Sequence, residues 1–256
     1  MRTEVLEERF DGSTLDGEVW LPHYLPAWSS RAQSRACFRL GDGLRLNVPV
    51  DHPLWCLGEH VPPLRVSGLQ TGSWSGPAGS TRGQQRFVEG QVVREEQPRF
   101  EGWLMSGGRV DIRARMTLSA RSMAALWMSG FEDDPAQEQC GEICVFEIFG
   151  RKVHRDPPSA EVGVGIKPFR DPELAEDFAA VRLPVDVTEP HNFVVRWDAR
   201  EAVFSVDDEV VRTCPRPPRY PLQLMLAVFD FPDWSTGTDD HLVPELVVEH
   251  LLAARG

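Results

Sequence analysis

Positive charge is scarce in this sequence. Twenty-seven lysines and arginines face 39 aspartates and glutamates, and lysine itself occurs only at Lys152 and Lys167. A net charge of −12 leaves little room for a basic face, and both nucleic acid and anionic membranes reward one. Neither is therefore expected as a partner, and a neutral ligand suits the balance better. That nearly all the cations are arginine carries no functional reading. Long apolar runs are also missing. None approaches the roughly 20 residues of a membrane span, and the opening MRTEVLEERF has no apolar core of the kind a signal peptide needs. Cysteine is sparse and odd in number: Cys37, Cys56, Cys140, Cys144 and Cys214. These spacings fit neither a disulfide framework nor a zinc site. Cys140 and Cys144 with His154 fall short of the four closely spaced ligands of structural zinc, so no metal site is expected. Together these absences point to a cytoplasmic protein, or to a secreted one whose leader has been removed.

What the sequence does have is turn formers, 21 glycines and 21 prolines, which favour many turns over long helices. Its 256 residues suffice to bury a full core and suit an all-β fold running as one domain over residues 1–256. Alternating segments recur. Residues 38–48 read as two strands about a Gly41-Asp42-Gly43 turn, and residues 108–116 alternate cleanly. Residues 51–86 are irregular, with proline pairs and many glycines, and so long a stretch is usually functional or mobile. Only residues 171–180 invite a short helix.

The stretch that needs explaining is Gly141-Glu142-Ile143-Cys144-Val145-Phe146-Glu147-Ile148-Phe149-Gly150. It is rich in β-branched and aromatic residues between two glycines, which reads as a buried strand. Two carboxylates interrupt it, and buried carboxylates need a partner or a task. Strict alternation puts Glu142, Cys144 and Phe146 on one face and Glu147 on the other. One extra residue, a β-bulge near Val145-Phe146, would bring Glu147 round to the face of Glu142 and Cys144. The backbones are then roughly 13 Å apart. Inward-leaning side chains bring the carboxyls to ~5–6 Å, a spacing that suits retaining glycoside hydrolysis.

The stretch resembles the active-site strand of glycoside hydrolase family 16, the laminarinase, lichenase and agarase group. The family pattern is Glu, any, Asp, any, any, Glu. Glu142 and Glu147 match its outer positions, and Cys144 stands where the family has aspartate. The flanks agree in order. The segment from Phe10 to Trp20 resembles the family's opening turn, and residues 67–72 the short segment lining one end of its cleft. Residues 108–116 resemble the "G-x-x-E-x-R" strand, with Asp111 in the acidic place and Arg113 matching. Residues 123–128 resemble the "W-P-A-x-W" strand: Trp127 matches its second tryptophan, and Met123 and Ala124 replace the first tryptophan and the proline. Residues 191–198 and 203–208 resemble the "H-x-Y-x-x-x-W … F-Y-V-D-G" hairpin, residues 221–228 the next core strand and residues 245–251 the closing one. Trp234 sits where the family has a loop tryptophan. The resemblance implies a single β-sandwich of the concanavalin A-like jelly-roll type, its concave sheet forming a cleft.

By the same resemblance Glu142 is the nucleophile and Glu147 the general acid/base, acting on an internal β-linkage of a polysaccharide or glycoconjugate. The chemistry needs one carboxyl ionised and the other neutral. The family aspartate hydrogen-bonds the nucleophile. A thiol is a weak donor that stays neutral between carboxylates, so Cys144 reads as a small filler rather than a reactive group, which would need electropositive surroundings. Trp127 is expected to floor the cleft, since aromatic faces stack on sugar rings. Trp74 and Trp103 are further platform candidates, and Met123 removes one. Lys167 is the polar candidate where many members carry a histidine near the acid/base. No cofactor is implied, although a structural calcium occurs in several relatives, and a monomer is expected. Two other readings stay open: a non-catalytic carbohydrate-binding jelly roll, and an intracellular tailoring enzyme on the same scaffold.

Overall fold

The computed structural model describes residues 4–134, 136–238 and 241–256; residues 1–3 of the polar N-terminus lie outside them. Among the described residues the fold is all-β, two antiparallel sheets packed face to face. In the outer sheet the strand order is Glu209–Pro215, Glu201–Val206, His191–Trp197, Gly108–Thr117, Glu245–Arg255, Leu44–Asn47 and Cys37–Arg39, with Val5–Glu8 also pairing on Glu245–Arg255. In the inner sheet it is Asp177–Leu183, Pro158–Lys167, Glu142–Phe149, Ser122–Gly130, Leu222–Asp230 and Arg65–Gln70.

The sequence pattern dictates these layers. In Gly108–Thr117 the residues Val110, Ile112, Ala114 and Met116 are buried and alternate with more exposed neighbours, the signature of a sheet wet on one side. Ile112, Phe193, Val195 and Phe204 pack onto Leu126, Phe146, Leu224 and Leu226 of the inner sheet, and the rings of Phe146 and Phe193 meet at 4.7 Å. Ser122–Gly130 and Leu222–Asp230 are instead buried at every position. Their second face lies under a separate apolar cluster, in which Leu25, Trp28, Trp55, Leu64 and Val93 cover Ala125, Trp127, Met225 and Ala227. Asp230 ends its strand in a buried ion pair, accepting from Arg121 at 2.7 Å and from Arg65 at 3.0 Å.

Two expectations are corrected. Residues 171–180 hold no helix. Backbone bonding there stops at single turns on Asp171, and Asp177–Leu183 is a strand whose Phe178 and Val181 pair with Gly165 and Val162. The irregular stretch 51–86 also contains a full edge strand, Arg65–Gln70, paired with Leu222–Asp230, so residues 67–70 belong to the inner sheet itself, while Gly72–Ser73 pairs with Phe100–Glu101 in a separate two-stranded sheet.

Candidate active site

Glu142–Phe149 carries the expected bulge. Against Ser122–Gly130, Cys144 pairs with Trp127 and Phe146 with Leu126, leaving Val145 as the extra residue. Register then runs Glu147 to Ala125 and Phe149 to Met123. The odd residue shifts the parity, so Glu142, Cys144, Glu147 and Phe149 share the face turned away from the sandwich core. Glu142 and Glu147 line one cavity of about 220 Å³ together with Trp127, Met123 and Tyr24.

The rows that cross the inner sheet explain the hollow. The row through Cys144 continues as Trp127 and Met225, and that through Phe149 as Met123 and Phe229. Between them, the row through Glu147 continues as Ala125, Ala227 and Gly68. Small side chains make a trough, into which Tyr24 reaches: a Cβ on Gly68 would lie 3.5 Å from its ring. On the other side Glu147 pairs with Gly163, where a Cβ would stand 2.6 Å from the Phe178 ring and 3.2 Å from Glu147 Cβ. Glycine at this position lets Phe178 and Glu147 approach.

Burial and neighbouring charges act on Glu142. Burial pushes Glu142 up to about 7, with Lys167 opposing and Glu147 and Glu132 adding to the shift. Lys167 pairs with Glu142 across the backbone ladder, yet its Nζ donates to Glu147 Oε2 at 2.8 Å and lies 4.2 Å from the Phe178 ring centre. Burial works against the Lys167 charge, but the carboxylates of Glu147 and Glu142 prevail and hold it above its usual range. Burial likewise drives the Cys144 thiol well above its ordinary value. The thiol is neutral and packs in the apolar cluster with Trp127 and Met225.

The other expected residues divide. Trp127 lines the cavity and also belongs to the apolar cluster, and Met123 lines it beside Phe229 and Phe231. Trp234 stands behind that wall, stacked on Phe231 at 4.1 Å and under Arg151 at 4.2 Å. Trp74 does not reach the cavity. Its Nε1 donates to the Phe131 carbonyl at 2.6 Å, anchoring a loop. Trp103 is a correction: it is buried in the sandwich core under Arg255, on the far side of the sheet. His154 is exposed, away from Cys140 and Cys144, and among the described residues no group of three or more His, Cys, Asp or Glu is placed to hold a metal ion.

The sequence reading missed Tyr24, His60, Leu64, Phe229 and Phe231 of the cavity wall. The only hint was that Tyr24 is one of two tyrosines in the chain and His60 lies in the irregular stretch. It also missed Glu132, which accepts from the Gln85 backbone at 2.8 Å and from Arg170 at 2.9 Å. Burial outweighs these contacts and pushes Glu132 up to about 7.

A jelly-roll sandwich with a carboxylate pair in an aromatic-lined hollow of its inner sheet has the architecture of a glycosidase-type protein. The chain belongs to the glycosyl hydrolases family 16, whose model matches residues 103–243. Solved structures with the same fold include the GlcNAcα1-4Gal-releasing endo-β-galactosidase from Clostridium perfringens, at 24% identity and a TM-score of 0.77 over 96% of this chain. The chain spans 61% of that protein's length. The laminarinase catalytic domain from Thermotoga maritima MSB8 matches at 15% identity and a TM-score of 0.65, covering 99% of this chain and 98% of its own. The Crh5 transglycosylase matches at 11% identity and 0.61, covering 99% and 85%. No curated protein sequence matches the chain.

Proposed function

We propose that the protein is a retaining, endo-acting glycosidase or transglycosylase that cuts an internal β-linkage of a polysaccharide or glycoconjugate. Glu142 attacks the anomeric carbon and Glu147 protonates the leaving oxygen, then activates the acceptor. The observation that carries the reading is the bulge at Val145, which turns both glutamates into one cavity. Endo-acting glycosidases and a transglycosylase among the structural neighbours support the same reaction class.

In the free protein burial pushes Glu142 up to about 7, while Glu147 is tied to Lys167 at 2.8 Å. The proposed roles need the proton on Glu147 and Glu142 ionised. Lys167 therefore has to leave Glu147 as substrate enters, which gives the lysine a role that depends on occupancy. Trp127 floors the site, Met123 and Phe231 wall it, and no cofactor takes part. The reading extends to a monomeric, single-domain protein of a reducing, cytoplasmic compartment.

Proton NMR of the first-formed product tests it. Retention of the β-anomer with turnover lost in Glu142→Gln is expected. An inverted anomer, or full activity in that variant, rejects the assignment. The binding-module alternative predicts that Glu142→Gln binds glycan as the wild type does while neither protein turns it over.

A further inference from the structure

The cavity that holds Glu142 and Glu147 continues past Glu142. A second hollow of about 170 Å³ shares Tyr24, His60, Trp127 and Glu142 with the first, so the two are lobes of one space. Aromatic rings make the apolar wall of this second lobe. Trp55 and Phe87 meet at 4.9 Å, and His60 packs against them at 5.6 and 5.4 Å. Phe169 at its edge is 43% exposed, which leaves the lobe open to solvent.

Two acceptor atoms of residues lining this lobe have no partner. The first is Gln85 Oε1. Gln85 is 4% exposed and lines the hollow. Its Nε2 donates to Glu132 Oε1 at 2.9 Å and to the Cys140 carbonyl at 3.1 Å. Both neighbours accept, so this terminus is the amide nitrogen and both its hydrogens are used. The Gln85 backbone N–H donates to the same Glu132 oxygen at 2.8 Å, and Arg170 donates to the other at 2.9 Å. The amide cannot turn over without losing these bonds, which fixes Oε1 away from Glu132. Gln85 and Glu132 both sit in left-handed backbone, at φ +51° and +56°, a region that residues other than glycine enter rarely.

The second atom is His60 Nε2. Nδ1 lies 2.7 Å from the Pro62 carbonyl, which can only accept. Nδ1 therefore carries the hydrogen, and the neutral ring leaves Nε2 with a free lone pair. Among the described residues nothing bonds to Gln85 Oε1 or His60 Nε2. Buried polar atoms are normally paired, and two free acceptors in one aromatic-walled lobe call for a ligand that donates. Glu142 borders the lobe as well. A carboxylate or sulfate facing these atoms brings acceptor against acceptor, whereas a sugar hydroxyl supplies the missing hydrogen.

We propose, resting on the glycosidase reading above for the class of ligand, that this lobe is a specificity subsite for one neutral sugar unit. The unit stacks on the aromatic wall and donates hydroxyl hydrogen bonds to Gln85 Oε1 and His60 Nε2. Glu132 and Arg170 are positioning residues that hold the Gln85 amide and touch no substrate. The subsite selects hydroxyl-bearing units and refuses acidic ones.

The test is glycan binding by the Glu147→Gln protein, whose substitution lies outside this lobe and stops the probe being consumed. Calorimetry with laminari- and cello-oligosaccharides and neutral mucin O-glycans should show binding of at least one. Oligogalacturonate and heparin oligosaccharides, acidic in every repeat, should not bind. Adding Gln85→Met or His60→Phe should weaken binding of the neutral probe roughly three- to tenfold. Gln85→Met also cuts the bonds to Glu132, so His60→Phe, which keeps a ring between Trp55 and Phe87, decides the matter if the first variant does not fold. Nitrogen-15 NMR at about pH 8, above the ordinary histidine range, gives a readout that packing alone does not move. The His60 Nε2 resonance, identified by its loss in His60→Phe, should shift upfield as the neutral probe is added. Unchanged affinity in folded His60→Phe, an unmoved Nε2 resonance, preference for the acidic probes, or no binding of any neutral probe overturns the subsite. Failure of the glycosidase reading looks different: the neutral probe binds, His60 shifts, and the wild-type protein does not cleave it.

Discussion

Cys144 sits at the centre of the carboxylate motif and is 2% exposed. Its neutrality follows from burial, so it neither attacks nor supplies the negative charge that an aspartate would. Cys144→Ala should retain turnover within about tenfold, or ~1.4 kcal/mol of activation free energy, with steady-state kinetics as the check. Complete loss with the fold intact would make the thiol a participant. Cys144→Asp should carry a cost as well as a gain. A like charge near the proton donor moves the alkaline limb of the rate profile up, while a carboxylate in an apolar cluster lowers stability by a few kcal/mol. Lys167, one of two lysines and at first sight only part of an arginine-rich bias, bears on both glutamates. Its charge favours ionised Glu142 against burial. Removing it in Lys167→Met lets Glu142 hold its proton above the present value of about 7. The acid limb of kcat/KM should therefore move to higher pH and activity near pH 6 should fall. A pH–rate profile identical to wild type would show that Lys167 does not govern the nucleophile.

At the scale of strands, one inserted residue makes the site. Deleting Val145 removes the bulge and makes Glu142 and Glu147 a regular i, i+4 pair, so strict alternation keeps Glu147 on the cavity face and Phe146 in the core. The deletion variant should therefore fold with both carboxyls on the cavity face, as circular dichroism and denaturant melts would report; a collapse in stability would mean that the bulge itself, and not the alternation, holds Glu147 out of the core. The bulge was legible because two carboxylates four apart in function but five apart in sequence cannot otherwise share a face. The strands of the outer sheet were legible from period-2 alternation. Asp177–Leu183 was not, because Leu174, Phe178 and Val181 mimic helical spacing and only pairing with Pro158–Lys167 decides between the two. Trp103 and Trp74 were unreadable for a similar reason: a tryptophan's face is set by the strand or loop that carries it. Asp230, at the end of its strand, clamps Ser122–Gly130 and Arg65–Gln70 through Arg121 and Arg65. Asp230→Ala removes the buried carboxylate to which both Arg121 and Arg65 donate. Breaking such a pair costs roughly 3–5 kcal/mol, readable in urea unfolding. A change under 1 kcal/mol would mean that water or other groups satisfy the arginine.

The whole molecule combines a conventional sandwich core with a second core on the face that a polymer-binding groove would leave open. The first follows from alternation and family resemblance. The second is built from residues 20–100, where turns and long-range contacts replace periodicity, and nothing in the local sequence marks Tyr24 or His60 as cavity lining. The net charge of −12 fits a protein that recognises neutral sugar faces by stacking rather than by ion pairing. The most direct test of the account is azide rescue of two variants acting on an aryl β-glycoside of the cleaved glycan. In Glu142→Gly azide takes the nucleophile's place and should give the α-glycosyl azide. In Glu147→Gly azide intercepts the glycosyl-enzyme held on Glu142 and should give the β-glycosyl azide. The opposite pairing would exchange the two roles, and turnover by both variants without any azide product would contradict the mechanism outright.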